Sequence, residues 1–290
     1  MTTAHLIDGT FELFRSYFGA PPAKSRTGIE IGATIGLTRS LVSWLRTGAV
    51  THAGIAFDHV IESFRNDLFP GYKTGEGLDP ELYAQFPMAE DAARALGLVV
   101  WPMTTFEADD ALASAAAQCD AALGIDHVVI ASPDKDLCQC VRGTKVVAWD
   151  RMRGNTLNAD GVVAKFGVPP AVIPDWLALV GDTADGIPGI TGWGAKSAAT
   201  LLAAYGSIEA IPEDPKAWTV AVRSRDRLAA ALNADRDAAM LYRTLATLRL
   251  DVPIVATEQT LRWGGLDAEA LTVFWASIGA RGAPPAVAGT

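Results

Sequence analysis

Phe106-Glu107-Ala108-Asp109-Asp110, taken with Ser132-Pro133-Asp134-Lys135-Asp136, is the stretch that decides how this chain is read. Each run follows a short apolar segment, 98–101 and 128–131, and both segments read as strands. The two runs hold five carboxylates. Carboxylates packed this closely repel one another. They persist together only with positive charge among them, and a divalent metal is the usual source.

Working outward, residues 4–7 read as a strand ending at Asp8, and 53–57 as another ending at Asp58. Sites in α/β folds collect at the carboxyl ends of strands, so these two acids join the set. Helices are expected over 31–45, 80–96 and 107–118, and in a helix after Asp8 with Phe11, Phe14 and Phe18 on one apolar face. A fifth strand is expected over 145–149. Strands alternating with helices give an α/β class with a mostly parallel sheet. After about residue 165 prolines punctuate a junction. A helix over 171–180 then leads into Gly181-Asp182-Thr183-Ala184-Asp185-Gly186-Ile187-Pro188-Gly189, and the remainder is mostly helical. The division expected is 1–168 as an α/β core, with an excursion over about 70–90, then 169–280 as a helical subdomain. Residues 281–290, rich in Ala, Pro and Gly, are expected to form a disordered tail.

The acids at element ends are then Asp8, Asp58, Glu107, Asp109, Asp110, Asp134, Asp136, Asp182 and Asp185. An all-oxygen set without His or Cys suits magnesium or manganese. Nine acids exceed what one ion needs, and two ions stabilise both the attacking and the leaving oxygen in phosphodiester cleavage. Any one of these Asp residues alone reads as a cap or turn residue; the clustering is what carries the metal reading.

Two further patterns bear on phosphate. Gly192-Trp193-Gly194 precedes a helix over 195–205 with Lys196 and Ser197 in its first turn. Glycines let backbone approach an anion, and the helix start turns its amides toward it. Alone this is as well read as a plain helix-start turn; its place after Pro188-Gly189 gives it the look of a hairpin that holds a duplex backbone without reading sequence. The glycine-rich segment 70–77 carries Tyr72-Lys73 and reads as mobile. With Arg15 and Arg65, Lys73 is a candidate to clamp a phosphate, the alternative for each being an exposed surface cation. Phe14 reads most simply as a core residue.

Bulk properties set wide limits. Residues 1–150 hold 11 Lys and Arg against 19 Asp and Glu; residues 151–290 hold 13 against 14. The net charge of −9 equals the count of candidate metal ligands, so it does not exclude nucleic acid. Cys119, Cys138 and Cys140 lack His partners at zinc spacing and read as buried thiols. No run reaches the roughly 18 apolar residues a membrane span needs. The start of the chain lacks a signal peptide pattern, so a cytoplasmic protein is expected.

In family order, Leu6-Ile7-Asp8-Gly9 with Arg15, Phe57-Asp58, Ser63-Phe64-Arg65, Gly71-Tyr72-Lys73, the two acidic runs, and the motifs over 181–189 and 192–198 resemble the structure-specific 5′ nucleases. These are the flap endonucleases and 5′→3′ exonucleases, including the N-terminal exonuclease domain of bacterial DNA polymerase I. The resemblance covers roughly residues 4–210. It implies a PIN-like α/β nuclease core and a helical helix–three-turn–helix DNA-binding subdomain. It implies that all nine acids ligate metal, with Asp8, Asp58, Glu107, Asp109 and Asp110 mainly around one ion and Asp182 and Asp185 at a second. Asp134 and Asp136 would lie between or near both. It gives catalytic roles to Lys73, Arg15 and Asp134, and DNA contacts to Phe14, Arg65, Tyr72, Gly192, Gly194, Lys196 and Ser197. Potassium at the hairpin near Ser197 is also implied. The chain departs from the family pattern at Glu76, where an arginine is common, and at Phe14, where a tyrosine often stacks on a base. No polymerase follows, so a free-standing monomeric nuclease is expected, acting on 5′ flap, nicked or junction DNA, RNA-primed strands included, in repair or replication. A PIN-like ribonuclease would lack the Gly192-Trp193-Gly194 hairpin, and a non-catalytic DNA-structure binder would not need nine acids.

Overall fold

The computed structural model describes residues 1–286. The chain forms two compact units, and neither is a single run of sequence. Unit 1 comprises Met1–Ser63, Gly75–Ser132 and the chain from Leu250 onward; unit 2 comprises Phe64–Thr74 and Pro133–Arg249. The units therefore divide the chain differently from the boundary expected at 168.

Unit 1 is built on four parallel strands: β1 (Thr3–Asp8), β2 (His52–Asp58), β3 (Val99–Met103) and β4 (His127–Ala131). Their pairings run β3 to β2, β2 to β1 and β1 to β4. Ala4, Leu6, Ile7, Ile55, Phe57, Val128 and Ile130 are fully buried, as expected of parallel strands covered on both faces. In register, Asp8 sits opposite Ala56, and Asp58 opposite Met103. Parallel pairing thus brings both strand-end acids to one edge of the sheet. The helix Ala108–Ala121 packs along all four strands.

Two expected helices differ in detail. In Gly9–Gly19 the buried residues are Gly9, Glu12, Leu13 and Ser16, while Phe18 is exposed and Phe11 and Phe14 are half-buried. The phenylalanine stripe is therefore not the core face. Close approach to the helix Gly32–Leu45 explains it: a Cβ at Gly36 would lie 3.1 Å from the Ser16 Cβ, so small residues make the contact. The helix expected over 80–96 is broken into Pro80–Tyr83 and Phe86–Ala95. Pro87 offers no N–H and would clash with the carbonyl four residues earlier. Gln85, freed at the break, accepts from Thr34 N (3.0 Å) and Thr34 Oγ1 (3.1 Å).

The chain returns to unit 1 after Leu250. Val252 N donates to Ser114 Oγ (3.1 Å), Ala256 N to Gln118 Oε1 (2.9 Å), and Trp263 Nε1 to Leu96 O (2.9 Å). The expected tail falls partly on residues 287–290, which lie outside the described residues.

Unit 2 takes in the short helix Phe64–Leu68 and the 3₁₀ turn Asp136–Cys140, then an antiparallel hairpin, β5 (Val146–Asp150) and β6 (Asn155–Leu157). It continues through helices Ala159–Phe166, Ile173–Val180, Ala195–Tyr205, Arg225–Ala234 and Arg236–Ala246. Leu177, Leu179, Leu201, Leu232 and Leu245 form its core with Trp176 and Trp193. The tryptophans keep their N–H groups satisfied: Trp176 Nε1 donates to Ala195 O (3.3 Å) and Trp193 Nε1 to Leu228 O (3.1 Å). All three cysteines are buried free thiols. No single helix among the described residues is long and apolar enough to cross a membrane.

Candidate metal centre

Five of the nine acids belong to unit 1, and the fold holds each by a specific bond. Asp8 ends β1, accepts from Phe11 N (2.8 Å) as the cap of the next helix, and accepts from Ser132 Oγ (2.8 Å). Gly9 follows it because a Cβ there would meet the Phe57 ring at 2.5 Å. Asp58 ends β2 and accepts from Ala108 N (2.7 Å). Glu107 caps the helix Ala108–Ala121 and accepts from Ser63 Oγ (2.7 Å), while its N–H donates to Asp110 Oδ2 (3.1 Å). Asp109 is half-buried in the same first turn, and Asp110 is fully buried. Unpaired amides at a helix start favour negative charge, which offsets part of the cost of gathering acids here.

The other four acids belong to unit 2. Asp134 Oδ1 accepts from Asp136 N (3.0 Å). Oxygens of Asp136, Asp182 and Asp185 all lie within 4.8 Å of one another, a set of three acids of the kind that can hold an ion. Asp136 is buried, and its Oδ1 has no hydrogen-bond partner. Burial first, then the charges of Asp134, Asp185 and Asp182, push its pKa well above the ordinary carboxylate range. An orphaned buried oxygen beside two further carboxylates fits a hard divalent cation.

The loop carrying Asp182 and Asp185 is pinned from both sides. Asp182 and Ile187 exchange backbone hydrogen bonds, each 2.8 Å. Lys73 N donates to Asp185 O (3.0 Å), and a Cβ at Gly186, whose φ is +74°, would lie 2.2 Å from Gly71 O. Two ammonium groups reach the acids. Lys73 Nζ lies 3.0 Å from Asp185 Oδ1, and Lys135 Nζ lies 2.5 Å from Asp182 Oδ2. Burial works against the Lys135 charge, but the Asp182 bond and the neighbouring carboxylates outweigh it and hold its pKa above the usual lysine value. The sequence reading gave Lys135 no role, although it stands between two acids of the deciding run.

Several expected contacts take a different form. The segment around Tyr72 is not loose: Tyr72 is 4% exposed and belongs to the unit 2 core, so its ring is not offered to DNA. Arg65 is 1% exposed, and donates to Leu245 O (2.7 Å) and Thr247 O (3.1 Å). It is an internal brace, not a surface cation or a DNA contact. The Arg15 guanidinium pairs with buried Glu12 and donates to Ser40 Oγ (2.7 Å), which satisfies an internal acid. Phe14 packs edge-on to Phe86 with centroids 6.0 Å apart. At the hairpin, Gly192 and Gly194 are exposed, Gly194 caps Ala195–Tyr205, Lys196 is exposed and Ser197 half-buried.

Parallel strands deliver carboxylates to one edge in unit 1, and in unit 2 Asp136 of a 3₁₀ turn meets Asp182 and Asp185 of a glycine-bounded loop, so the class is an α/β protein with acid clusters of the metal-binding kind. A family model described as 5'-3' exonuclease, N-terminal resolvase-like domain, matches residues 3–167, and one described as 5'-3' exonuclease, C-terminal SAM fold, matches residues 168–269. The chain belongs to the 5'-3' exonuclease family. It is 32% identical over 263 residues to a 5'-3' exonuclease of Aquifex aeolicus, covering 90% of this chain and 87% of that protein. It is 37% identical over 259 residues to the DNA polymerase I of Rhizobium leguminosarum, covering 86% of this chain but 25% of that protein. The chain thus spans about a quarter of the length of that polymerase. Among solved structures, T5 5'-exonuclease with zinc bound superposes with a TM-score of 0.67 at 17% identity, covering 95% of this chain and 98% of that one. The catalytic core of Rad2 in complex with DNA gives 0.63 at 15%, covering 95% and 87%. These likenesses carry the fold: a resolvase-like, PIN-type α/β part and a SAM-like helical part.

Proposed function

We propose that this protein is a metal-dependent 5′→3′ exonuclease and flap endonuclease that hydrolyses DNA phosphodiesters near 5′ ends and junctions, with a role in repair or replication. The observation that carries the reading is the buried Asp136 oxygen without a partner, set against Asp182 and Asp185. In the proposal the nine carboxylates are the ligands of magnesium or manganese. Bound ions would supply charge to the attacking and leaving oxygens. Lys73, already among the acids, would steady the scissile phosphate. The amides of Gly192 and Gly194, with Lys196 and Ser197, would grip a duplex backbone, with potassium bridging at Ser197. Arg15 would take part only if released from Glu12.

The test is cleavage of 5′-labelled flap, nicked and single-stranded DNA with magnesium or manganese and with EDTA. Metal-dependent release of short 5′ products is expected. No metal-dependent cleavage of any substrate would sink the enzyme reading. Asp134→Asn is expected to abolish cleavage while DNA binding is retained.

A further inference from the structure

Four of the nine candidate ligands, Asp134, Asp136, Asp182 and Asp185, lie in unit 2, and Lys73 and Lys135 reach into them. Lys73 sits on Asp185, and Lys135 on Asp182. The second contact has a distinct geometry. Lys135 lies between Asp134 and Asp136 in sequence, at the head of the short 3₁₀ turn Asp136–Cys140. Its ammonium reaches across to the Asp182 carboxylate at 2.5 Å, and that side chain is itself 4% exposed. Asp182 Oδ1 accepts from Ala184 N (3.1 Å), and Oδ2 carries the Lys135 ammonium, so both oxygens of this ligand are already engaged.

We propose that Lys135 competes with the divalent cation for Asp182 and so sets the metal affinity of the Asp136/Asp182/Asp185 cluster. The inference rests on the metal reading above and adds to it a threshold. A divalent ion must displace a tethered ammonium before it gains Asp182. A divalent ion of the magnesium type takes its ligands at about 2.0–2.1 Å, too close to share this oxygen with an ammonium. Two cations on one carboxylate also repel strongly at partly buried positions. The four-carbon stem lets the ammonium swing away without backbone movement. Lys73 differs, because its own backbone N–H is bonded to Asp185 O and fixes the base of its side chain.

The experiment is direct manganese binding, read from the loss of the free-ion EPR signal at fixed ionic strength, on the full chain. Asp182→Asn identifies the site by its loss. Lys135→Met keeps the stem and removes the charge; Lys135→Gln is the polar control against a packing effect. Both are expected to tighten manganese binding at the site lost in Asp182→Asn by roughly tenfold or more, given the size of a contact charge interaction at partial burial. Lys135→Arg is expected to stay near the wild-type value. Unchanged or weakened affinity in both neutral variants overturns the competition while leaving the metal reading intact. Full manganese stoichiometry in Asp182→Asn overturns both.

Discussion

Arg65 heads the largest fully buried side chains of the protein, and its position is earned by hydrogen bonds to carbonyls far along the chain. Its Cζ also lies 4.7 Å from the Phe64 ring centroid. Arg65→Ala would leave the Leu245 and Thr247 carbonyls short of donors and open a cavity; the expected loss is about 3 kcal/mol of stability. Urea unfolding checks this, and a loss below about 0.5 kcal/mol, the size of a surface substitution, would contradict the brace. The burial of Arg65 and Tyr72 was not legible in the sequence. Tyr72 lies in the glycine-rich segment that reads as mobile and Arg65 reads as a phosphate-clamping or surface cation, whereas what covers them comes from residues 138–247. The acids were legible for the opposite reason. Asp8 and Asp58 each close a strand whose apolar run is local, and the paired runs are contiguous. What local reading could not assign was their neutralisation, since Lys135 and Asp182 are neighbours only in the folded chain.

At the scale of elements, the bond between Tyr17 of the helix Gly9–Gly19 and Asp79, the cap of Pro80–Tyr83, gives a clean spectroscopic handle. The distance is 2.6 Å. The Asp79 carboxylate, first by accepting this bond, pushes the Tyr17 pKa up to about 12, and Tyr17 in turn holds Asp79 below its usual value. A raised tyrosine pKa favours the folded state fully below about pH 10, and that contribution fades as pH rises toward 12. For the lowered Asp79 the contribution is present above about pH 4 and fades below it. In an absorbance titration at high pH, one of the five tyrosines is expected to ionise late, near pH 12, and Tyr17→Phe is expected to remove that step. A late step that survives the substitution would place the bond elsewhere. The loop 181–189 gives a second test. Gly186→Ala forces a Cβ to within 2.2 Å of Gly71 O at a positive φ, so the loop must shift. It is expected to cost about 1–3 kcal/mol and to weaken metal binding through Asp182 and Asp185. Wild-type stability and metal affinity together would show that the loop tolerates the strain. Most helices were legible from periodicity; the break at Pro87 and the small-residue face of Gly9–Gly19 were set by packing partners that a single-helix pattern does not name.

For the whole molecule, the sequence suggested one cut near residue 168, because composition changes there, and the two family matches meet at that place. The compact units follow contacts and take in separate stretches of chain, with the stretch after Leu250 rejoining unit 1 through Ser114, Gln118 and Leu96. Composition reports local character, whereas return crossings depend on long-range bonds. The global stability of the protein should then depend on how its buried acids are neutralised. Gathering Asp136 with Asp134, Asp182 and Asp185 is unfavourable without a cation, as the raised Asp136 pKa records. A ligand that binds only the folded state adds about 2.7 kcal/mol at a hundredfold excess over Kd. For a chain of this size that corresponds to a rise in Tm of about 5–10 °C. Magnesium or manganese is therefore expected to raise the Tm measured in EDTA by that order. Asp136→Asn separates the two contributions with opposite signs. In EDTA it removes a buried carboxyl that is costly to ionise beside its neighbours, so the variant is expected to unfold at a higher temperature than the wild type. With saturating magnesium it lacks the ligand, so the metal-dependent rise is expected to shrink and the order of the two proteins to reverse. Equal Tm values for the wild type in EDTA and in magnesium would remove the metal reading of this cluster. A variant less stable than the wild type in EDTA would show that Asp136 supports the metal-free fold by bonds that outweigh its repulsion.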